Sequence, residues 1–467
     1  MDLVFRLDGS SEKTVLVYRA LREAIVDGRL PAGEKLPPTR VLAADLGVAR
    51  GSVSTAYERL VAEGYLIARV GSGTFVAQIA TERGRPARTG VDPLRPRADW
   101  TLVPMPTSAD RPVPRYDFRP GIPDAGLFPF DAWRRLVSAE LRLRANSPGT
   151  YAGPAGHPAL RAAVARYLGV ARGIKVGAGD VVVTNGTQHA LDLIGRVLLT
   201  PGDIVAVEDP GYPPARRLFE ALGCRVVGVP VDEEGLRVTQ LPDRARLVYA
   251  TPSHQFPLGW AMSLGRRREL LEWARGRPAA IVEDDYDSEF RFSARPLEPL
   301  VSLDSSGRVL YVGTFSKSML PTIRTGFVLV PPGLRDAVVA ARQVGDGYGQ
   351  MALQAALARF IDEGQLARHV RKAGKAYARR QVRICRALRA LPALDIVPSQ
   401  AGLHVTALTR ADSTPVVTEA ARAGLVLDDL RDYSTTQAGF VFGFGAIDPE
   451  LIDEGMALFA AILARHA

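Results

Sequence analysis

Residues 314–326 read TFSKSMLPTIRTG and follow an apolar run, RVLYVG, at 308–313. The run reads as a buried strand. Lys317 therefore falls just past a strand end, beside the hydroxyls of Thr314 and Ser316. An amine held there can form a Schiff base with an aldehyde. A lone lysine at a strand end is usually a solvated surface residue, so this reading depends on what accompanies it.

Three other stretches accompany it. VEDDYDSEF (282–290) puts Asp284 at the end of an apolar strand. A carboxylate there can pair with a protonated pyridine nitrogen and keep the ring an electron sink. Tyr286 projects toward the same region and can donate to a phenolic oxygen. Its neighbours Glu283, Asp285, Asp287 and Glu289 are expected on an acidic surface loop. TNGTQHAL (184–191) is a strand end, a glycine turn and a helix start. Free N–H groups and the positive end of the helix dipole suit a phosphate there, cradled by Gly186, Thr187 and Gln188. In EDPGYPP (208–214), Tyr212 follows a strand in a loop fixed by proline and glycine. It can stack on an aromatic ring or simply pack.

Around these motifs, strand-like runs alternate with helical patterns from about Tyr116 onward. VVVTNG (181–186), DIVAVEDP (203–210), ARLVYATP (245–252) and AAIVEDDY (279–286) are the clearest. Such alternation predicts an α/β domain with a mostly parallel sheet over 116–467. The whole chain, at 467 residues, is too long for one core. With 47% hydrophobic and 23% charged residues it has the composition of a soluble globular protein. No apolar run approaches a membrane span, and the N-terminal MDLVFRLDGSSEKT lacks a signal-peptide core, so a cytoplasmic location and no membrane partner are expected. Cys224 and Cys385 lie far apart, form no metal or redox motif, and are expected to be reduced thiols.

A net charge of +9 makes a polyanion a plausible partner only if a DNA-reading fold is present. Residues 1–78 supply one. Val17, Leu21 and Ile25 share a helix face over about 11–27, ended by Gly28. Thr39 is the expected N-cap of a second helix closed by Gly47. A third helix over about 50–63 carries Val53, Ala56, Tyr57, Leu60 and Val61 on a buried stripe. Arg50, Ser52, Thr55 and Arg59 fall on the opposite face and first turn. YLIARV and TFVAQ, joined by Gly71-Ser72-Gly73, read as a hairpin wing. Residues 79–115 are rich in arginine and proline and read as an extended linker.

The stretch LPPTRVLAADLGVARGSVSTAYERLVAEGYLIARVGSGTFVA (36–77) resembles the winged helix-turn-helix domain of GntR-type regulators. That resemblance implies an α+β fold in which Arg40 and Arg50 contact double-stranded DNA, with Ser52, Thr55, Gly71 and Gly73 as secondary contacts. Residues 116–467 resemble fold-type I pyridoxal-phosphate enzymes of the aspartate aminotransferase group. This implies that Lys317 is the Schiff-base lysine, Asp284 the pyridinium partner and Tyr286 the donor to the phenolic oxygen. It further implies that Tyr212 stacks on the ring and that Thr314, Ser316 and Arg324 join Gly186, Thr187 and Gln188 around the phosphate. TPSHQFPLG, EDDYDSEFRF and GTFSKSMLPTIRTG together resemble the MocR family, in which a GntR-type domain precedes an aminotransferase-like domain. Dimers of that family are typically domain-swapped.

Two departures bear on function. Aminotransferases usually carry an Asn-Pro-x-Gly turn that holds the phenolic oxygen, and here Phe256 replaces the Asn of Phe256-Pro257-Leu258-Gly259. Either His254 or Gln255 can compensate, or both can serve backbone packing. An arginine for the substrate α-carboxylate is usual on a late strand, but the matching stretch reads Val441-Phe442-Gly443-Phe444, with Arg431 nearby in a different context. Ordinary amino-acid substrates are then expected to bind poorly. The expected function is a pyridoxal-phosphate-dependent, DNA-binding transcription regulator. It senses pyridoxal phosphate itself, as in the PdxR-like branch controlling vitamin B6 synthesis, or a small amine. The alternative is a working aminotransferase with an appended DNA-binding domain.

Overall fold

The structure is a computed structural model, and it describes residues 13–78, 114–142, 150–292, 298–399 and 401–466. The expected linker falls outside these residues up to 113. The described residues form two compact units, one on either side of a divide at Arg95.

In the N-terminal unit α1 (Lys13–Val26), α2 (Thr39–Leu46) and α3 (Arg50–Ala62) precede a hairpin of β1 (Leu66–Arg69) and β2 (Gly73–Val76). Val17, Leu21 and Ile25 of α1 pack on Val53, Ala56, Tyr57 and Leu60 of α3. Val61 is 36% exposed, so the buried stripe is narrower than the sequence pattern suggested. Thr39 is the first residue of α2 rather than its cap, because Pro38 occupies the cap position in an extended conformation. Gly47 ends α2 in the left-handed region at φ 63°. The wing gains a third extended segment. Leu36 N–H donates to Thr74 O and Val76 N–H to Glu34 O, each at 2.9 Å.

The C-terminal unit opens with β3 (Tyr116–Asp117), α4 (Phe130–Leu141) and α5 (Pro158–Arg172). A large sheet follows, built from β4 (Val181–Thr184), β5 (Ile204–Asp209), β6 (Arg225–Asp232), β7 (Gly235–Leu236), β8 (Ala245–Ala250), β9 (Ala280–Asp285), β10 (Val309–Thr314) and β11 (Gly326–Leu329). Helices α6 (Thr187–Leu198), α7 (Pro213–Ala221), α8 (Leu264–Arg275) and α9 (Leu300–Leu303) connect them. The strand order is β4-β11-β10-β9-β8-β5-β6-β7. β10, β9, β8, β5 and β6 run parallel, while β11 and β7 run antiparallel to their neighbours.

Helices α10 (Arg335–Gly345), α11 (Met351–Asp362) and α12 (Gln365–Arg389) lead to a smaller sheet. Its strands β12 (Asp395–Ile396), β13 (His404–Thr409), β15 (Asp428–Asp429) and β16 (Ala438–Gly443) lie in the order β12-β13-β16-β15. Helix α13 (Thr414–Arg422), strand β14 (Leu425–Val426), which pairs with β3, and helix α14 (Ile452–Leu463) complete the unit.

Strand residues alternate between two apolar layers. Val182, Val205, Val207, Leu247, Val282, Leu310 and Val312 join one core with α6 and α7. Ala206, Val248, Ile281 and Val309 join the opposite core. Both faces are covered, as a parallel sheet requires. The strands therefore read as continuous apolar runs, and the loops at their carboxyl ends are where an open α/β sheet places a ligand.

Candidate functional site

A cavity of about 290 Å³ lies at the carboxyl ends of β8, β9 and β10. Thr187, Gln188, Tyr212, Asp284, Tyr286, Thr314, Ser316, Lys317 and Arg324 line it. The motifs singled out in the sequence thus converge on one place.

The floor is set by β9 and β10, which pair Val312 with Asp284 and carry the latter's carboxylate beneath the cavity. Tyr249 donates its hydroxyl to Asp284 Oδ2 at 2.7 Å. Oδ1 is buried with no partner. Burial pushes the Asp284 carboxyl up to about 7, opposed by the Tyr249 hydrogen bond. A cation arriving at Oδ1 would favour its ionised form. Lys317 donates from Nζ to Gly121 O at 2.7 Å. Burial holds its amine below the ordinary lysine range, against the pull of Asp287 and Asp284, which raises the fraction of free amine able to attack an aldehyde.

At the other end, Gly186 caps α6 at φ 85° with no side-chain cap bond. The first N–H groups of α6 are thus free to meet an anion. A Cβ at Gly186 would lie 3.5 Å from Arg324 Nη1, so the guanidinium hangs over this helix start. Arg324 also donates to Asn185 O at 2.9 Å. Among the described residues it is the one non-glycine residue with positive φ, 48°, a strained conformation of the kind that clusters at binding sites. Thr314 donates to Ser316 Oγ at 3.1 Å and accepts from Ser316 N–H at 3.2 Å, which fixes the turn before Lys317. Tyr212 lies near-parallel to Tyr249, ring centroids 6.5 Å apart.

The acidic run is not a surface loop. Glu283 and Asp285 are buried because β9 is a central strand covered on both faces, and Asp287, two residues past its end, is buried as well. Glu283 accepts from Leu300 and Val301 N–H at the start of α9, both at 3.0 Å. Asp285 pairs with Arg172 at 2.8 Å. Asp287 contacts His254 Nδ1 at 3.0 Å. The two candidates for replacing the lost asparagine separate cleanly. Gln255 staples its own turn, donating to Pro210 O at 2.8 Å and accepting from Leu258 N–H at 3.1 Å. His254 instead reaches the Tyr286 hydroxyl at 3.0 Å.

Val441 is fully buried in the apolar core. Arg431 is exposed, paired with Asp412 at 2.9 Å, and absent from the cavity lining.

In the N-terminal unit Arg40, Arg50, Thr55, Gly71 and Gly73 are exposed, and Ser52 is half-buried. Arg50 is the first residue of α3. Gly71 and Gly73 take φ 75° and 111° at the wing tip. Arg59, expected on the same face, is committed elsewhere. Its guanidinium lies 4.1 Å over the Tyr18 ring and bonds Glu63 at 2.9 Å.

Comparison with known proteins shows the same two parts. Residues 13–76 match the family of bacterial regulatory proteins of the gntR type, and residues 124–434 match aminotransferase class I and II. The chain is 40% identical over 466 residues to the probable rhizopine catabolism regulatory protein MocR of Rhizobium meliloti, covering 97% of this chain and 94% of that one. It belongs to the MocR family of transcription regulators. The pyridoxine biosynthesis regulator PdxR of Corynebacterium glutamicum is 34% identical over 92% of each chain. The kynurenine aminotransferase of Pyrococcus horikoshii superposes with a TM-score of 0.70 at 28% identity, over 76% of this chain and 91% of that one.

As a MocR-family member the chain is a DNA-binding regulator whose large domain takes pyridoxal phosphate. The cavity fits that group. It offers an unpartnered buried carboxylate oxygen for a ring nitrogen, a bare helix start with an arginine for the phosphate, and a buried amine for the aldehyde. Sequence reasoning did not find Tyr249, Gly121 or His404, which also line the cavity. Gly121 carries a signal of its own, because a Cβ there would stand 2.7 Å from Lys317 Nζ.

Among the described residues no helix is long and apolar enough to cross a membrane.

Proposed function

We propose that this protein reports pyridoxal phosphate itself to DNA, with Lys317 as the residue that captures it. The observation that carries the reading is the cavity's cation count. Among the described residues Arg324 is the sole arginine in the lining, and it is committed to the start of α6. With Val441 in the core, no second guanidinium among the lining residues remains for the α-carboxylate of an amino-acid substrate. The volume of about 290 Å³ also sits at the small end of ligand pockets, roughly 300–1,000 Å³.

The residues divide the work. Gly186, Thr187, Gln188 and Arg324 hold the phosphate, and Tyr212 covers the ring. Asp284 Oδ1 would accept a hydrogen bond from the pyridinium N–H and keep that nitrogen protonated, with Tyr249 holding Oδ2. Tyr286 donates to the phenolic oxygen. When bound, the cofactor supplies an electrophilic carbon and an electron-withdrawing ring. A relative named for pyridoxine biosynthesis control supports this choice of signal.

Arg40 and Arg50, with Ser52, Thr55, Gly71 and Gly73, are the proposed DNA contacts. A homodimer, domain-swapped or not, would present two such faces to two half-sites. Control requires that the ligand bind one conformation better than the other.

Two measurements test this. Titrating pyridoxal phosphate into the protein is expected to raise an absorption band in the near-ultraviolet to violet, fixed by borohydride on Lys317 and absent from Lys317→Ala. DNA affinity should then change with pyridoxal phosphate alone. A change that appears only when an amine is added sinks the choice of signal and points to an amine effector.

A second reading, a working aminotransferase, is favoured by the intact set of Lys317, Asp284 and Tyr286. Steady-state turnover of amines and α-keto acids at ordinary concentrations would establish it. At most a weak half-reaction is expected.

A further inference from the structure

We infer that His254, clamped by Asp287, is the positioning residue that frees the Tyr286 hydroxyl hydrogen for the cofactor's phenolic oxygen, replacing the amide lost at Phe256. This deepens the reading above and rests on it.

The argument is one of hydrogen counting. Asp287 is buried and lies 3.0 Å from His254 Nδ1 through both carboxylate oxygens. A carboxylate only accepts, so Nδ1 carries a hydrogen. The Tyr286 hydroxyl is also 3.0 Å from Nδ1. A nitrogen that carries a hydrogen cannot accept the tyrosine's own. Tyr286 therefore meets Nδ1–H through its oxygen lone pair and keeps its hydrogen for another acceptor. Tyr286 lines the cavity, and so does Phe256, whose ring offers no such acceptor.

The far side of the ring is fixed as well. His254 Nε2 lies 2.9 Å from Ser399 Oγ; in the neutral ring with its hydrogen on Nδ1 it accepts that hydroxyl's one hydrogen, for which Ala401 O at 3.1 Å is the competing acceptor. Two glycines close over the pair from separate loops. A Cβ at Gly402 (φ +82°) would stand 2.1 Å from His254 Cε1 and 2.4 Å from Asp287 Oδ2. A Cβ at Gly259 (φ +92°) would stand 2.8 Å from Ser399 Cβ.

His404 packs beside His254, ring centroids 4.9 Å apart, with its Nε2 on Pro257 O at 2.9 Å. The three side chains His254, Asp287 and His404 could geometrically gather a metal ion. Both ring nitrogens of His254 and Nε2 of His404 already make hydrogen bonds, which identifies the cluster as a hydrogen-bonded chain. The titratable groups facing His254 are Asp287 and Tyr286 from the segment after β9 and His404 from β13, with Lys317 across the cavity.

The test is spectroscopic. In full-length protein loaded with pyridoxal phosphate, the pH at which the Lys317-dependent band changes form is compared across variants. A donor to the phenolic oxygen stabilises its ionised form. Without Nδ1–H the buried Asp287 carboxylate loses its donor and competes for the Tyr286 hydrogen, so the phenolic oxygen is less well served and holds the neighbouring proton more strongly. His254→Phe is expected to raise the transition by about one pH unit, the worth of one hydrogen bond. His254→Phe/Phe256→Asn, which restores an amide at the lost position, is expected to bring it back. His254→Gln keeps a donor beside Tyr286 and should fall between, and it carries the comparison if the phenylalanine variant does not fold. An unchanged transition in the folded variants overturns the inference. No band in the wild type overturns the cofactor reading instead.

Discussion

Tyr249 and Asp284, on adjacent parallel strands, share one hydrogen bond of 2.7 Å that leaves a single carboxylate oxygen unclaimed. This fixes which oxygen is offered to an incoming ring. Asp284→Asn replaces the acceptor pair with an amide and should weaken pyridoxal phosphate binding by 100-fold or more, on the order of 3 kcal/mol for a charged hydrogen bond in a buried site. Tyr249→Phe should cost less, about tenfold. Equilibrium titration of the absorption band checks both, and equal effects would mean that Oδ1 is not the contact.

Arg324 combines a strained backbone with the only arginine side chain in the cavity lining among the described residues. Arg324→Ala should lower affinity for pyridoxal phosphate about 10- to 100-fold, a charge-assisted contact of roughly 1.5–3 kcal/mol. Affinity for pyridoxal, which lacks the phosphate, should stay within a factor of two or so, since no phosphate contact is lost. Arg324→Gly should give a cofactor-free protein more stable than Arg324→Ala by about 1 kcal/mol, because glycine accepts the left-handed conformation. Urea unfolding of the two variants measures the difference.

Glu208 is buried, and burial pushes its carboxyl up to about 7 despite hydrogen bonds from Thr251 and Gln255. A carboxyl raised above its unfolded value favours folding most below about pH 4, and loses that contribution as pH rises through 7. Cofactor-free protein should therefore weaken between pH 5 and pH 8. Glu208→Gln should remove up to about 3 kcal/mol of that loss. Urea midpoints at the two pH values give the answer, and an equal loss in the variant would show that Glu208 is ionised in the folded protein.

Arg50 begins α3 with its side chain exposed to solvent and, among the described residues, in no ion pair. Arg50→Ala should weaken binding to DNA selected by the protein from a random pool by 10- to 100-fold, about 1–3 kcal/mol. Its absorption titration with pyridoxal phosphate should be unchanged. Normal DNA affinity in the variant would remove Arg50 from the interface.

The strands around Lys317 were legible because both faces of the parallel sheet are buried, so each appears as an unbroken apolar run. Helix α3 was legible from its period. What escaped the sequence depends on distance along the chain. Nothing near Asp285 announces Arg172, 113 positions earlier in numbering, whose guanidinium lets the carboxylate go inside. The acids of residues 283–287 therefore looked like a solvated loop. His254 could be nominated beside the missing asparagine, but choosing it over Gln255 required Asp287 and Ser399, which no spacing rule brings to it. Thr39 failed as a cap because its proline neighbour had already taken the turn.

Lys317 Nζ is occupied with Gly121 O, and one nitrogen cannot keep that partner unchanged while bonded to an aldehyde carbon. Gly121 lies in the segment that follows β3 at the start of the large domain. That segment is stitched to β14 and to the smaller sheet, with Phe118 N–H on Val426 O at 2.8 Å and Gly443 N–H on Phe118 O at 2.7 Å. Ligand capture would thus vacate a carbonyl on the segment that follows β3. The Gly121 carbonyl, half-buried beside the cavity, would then need a new donor.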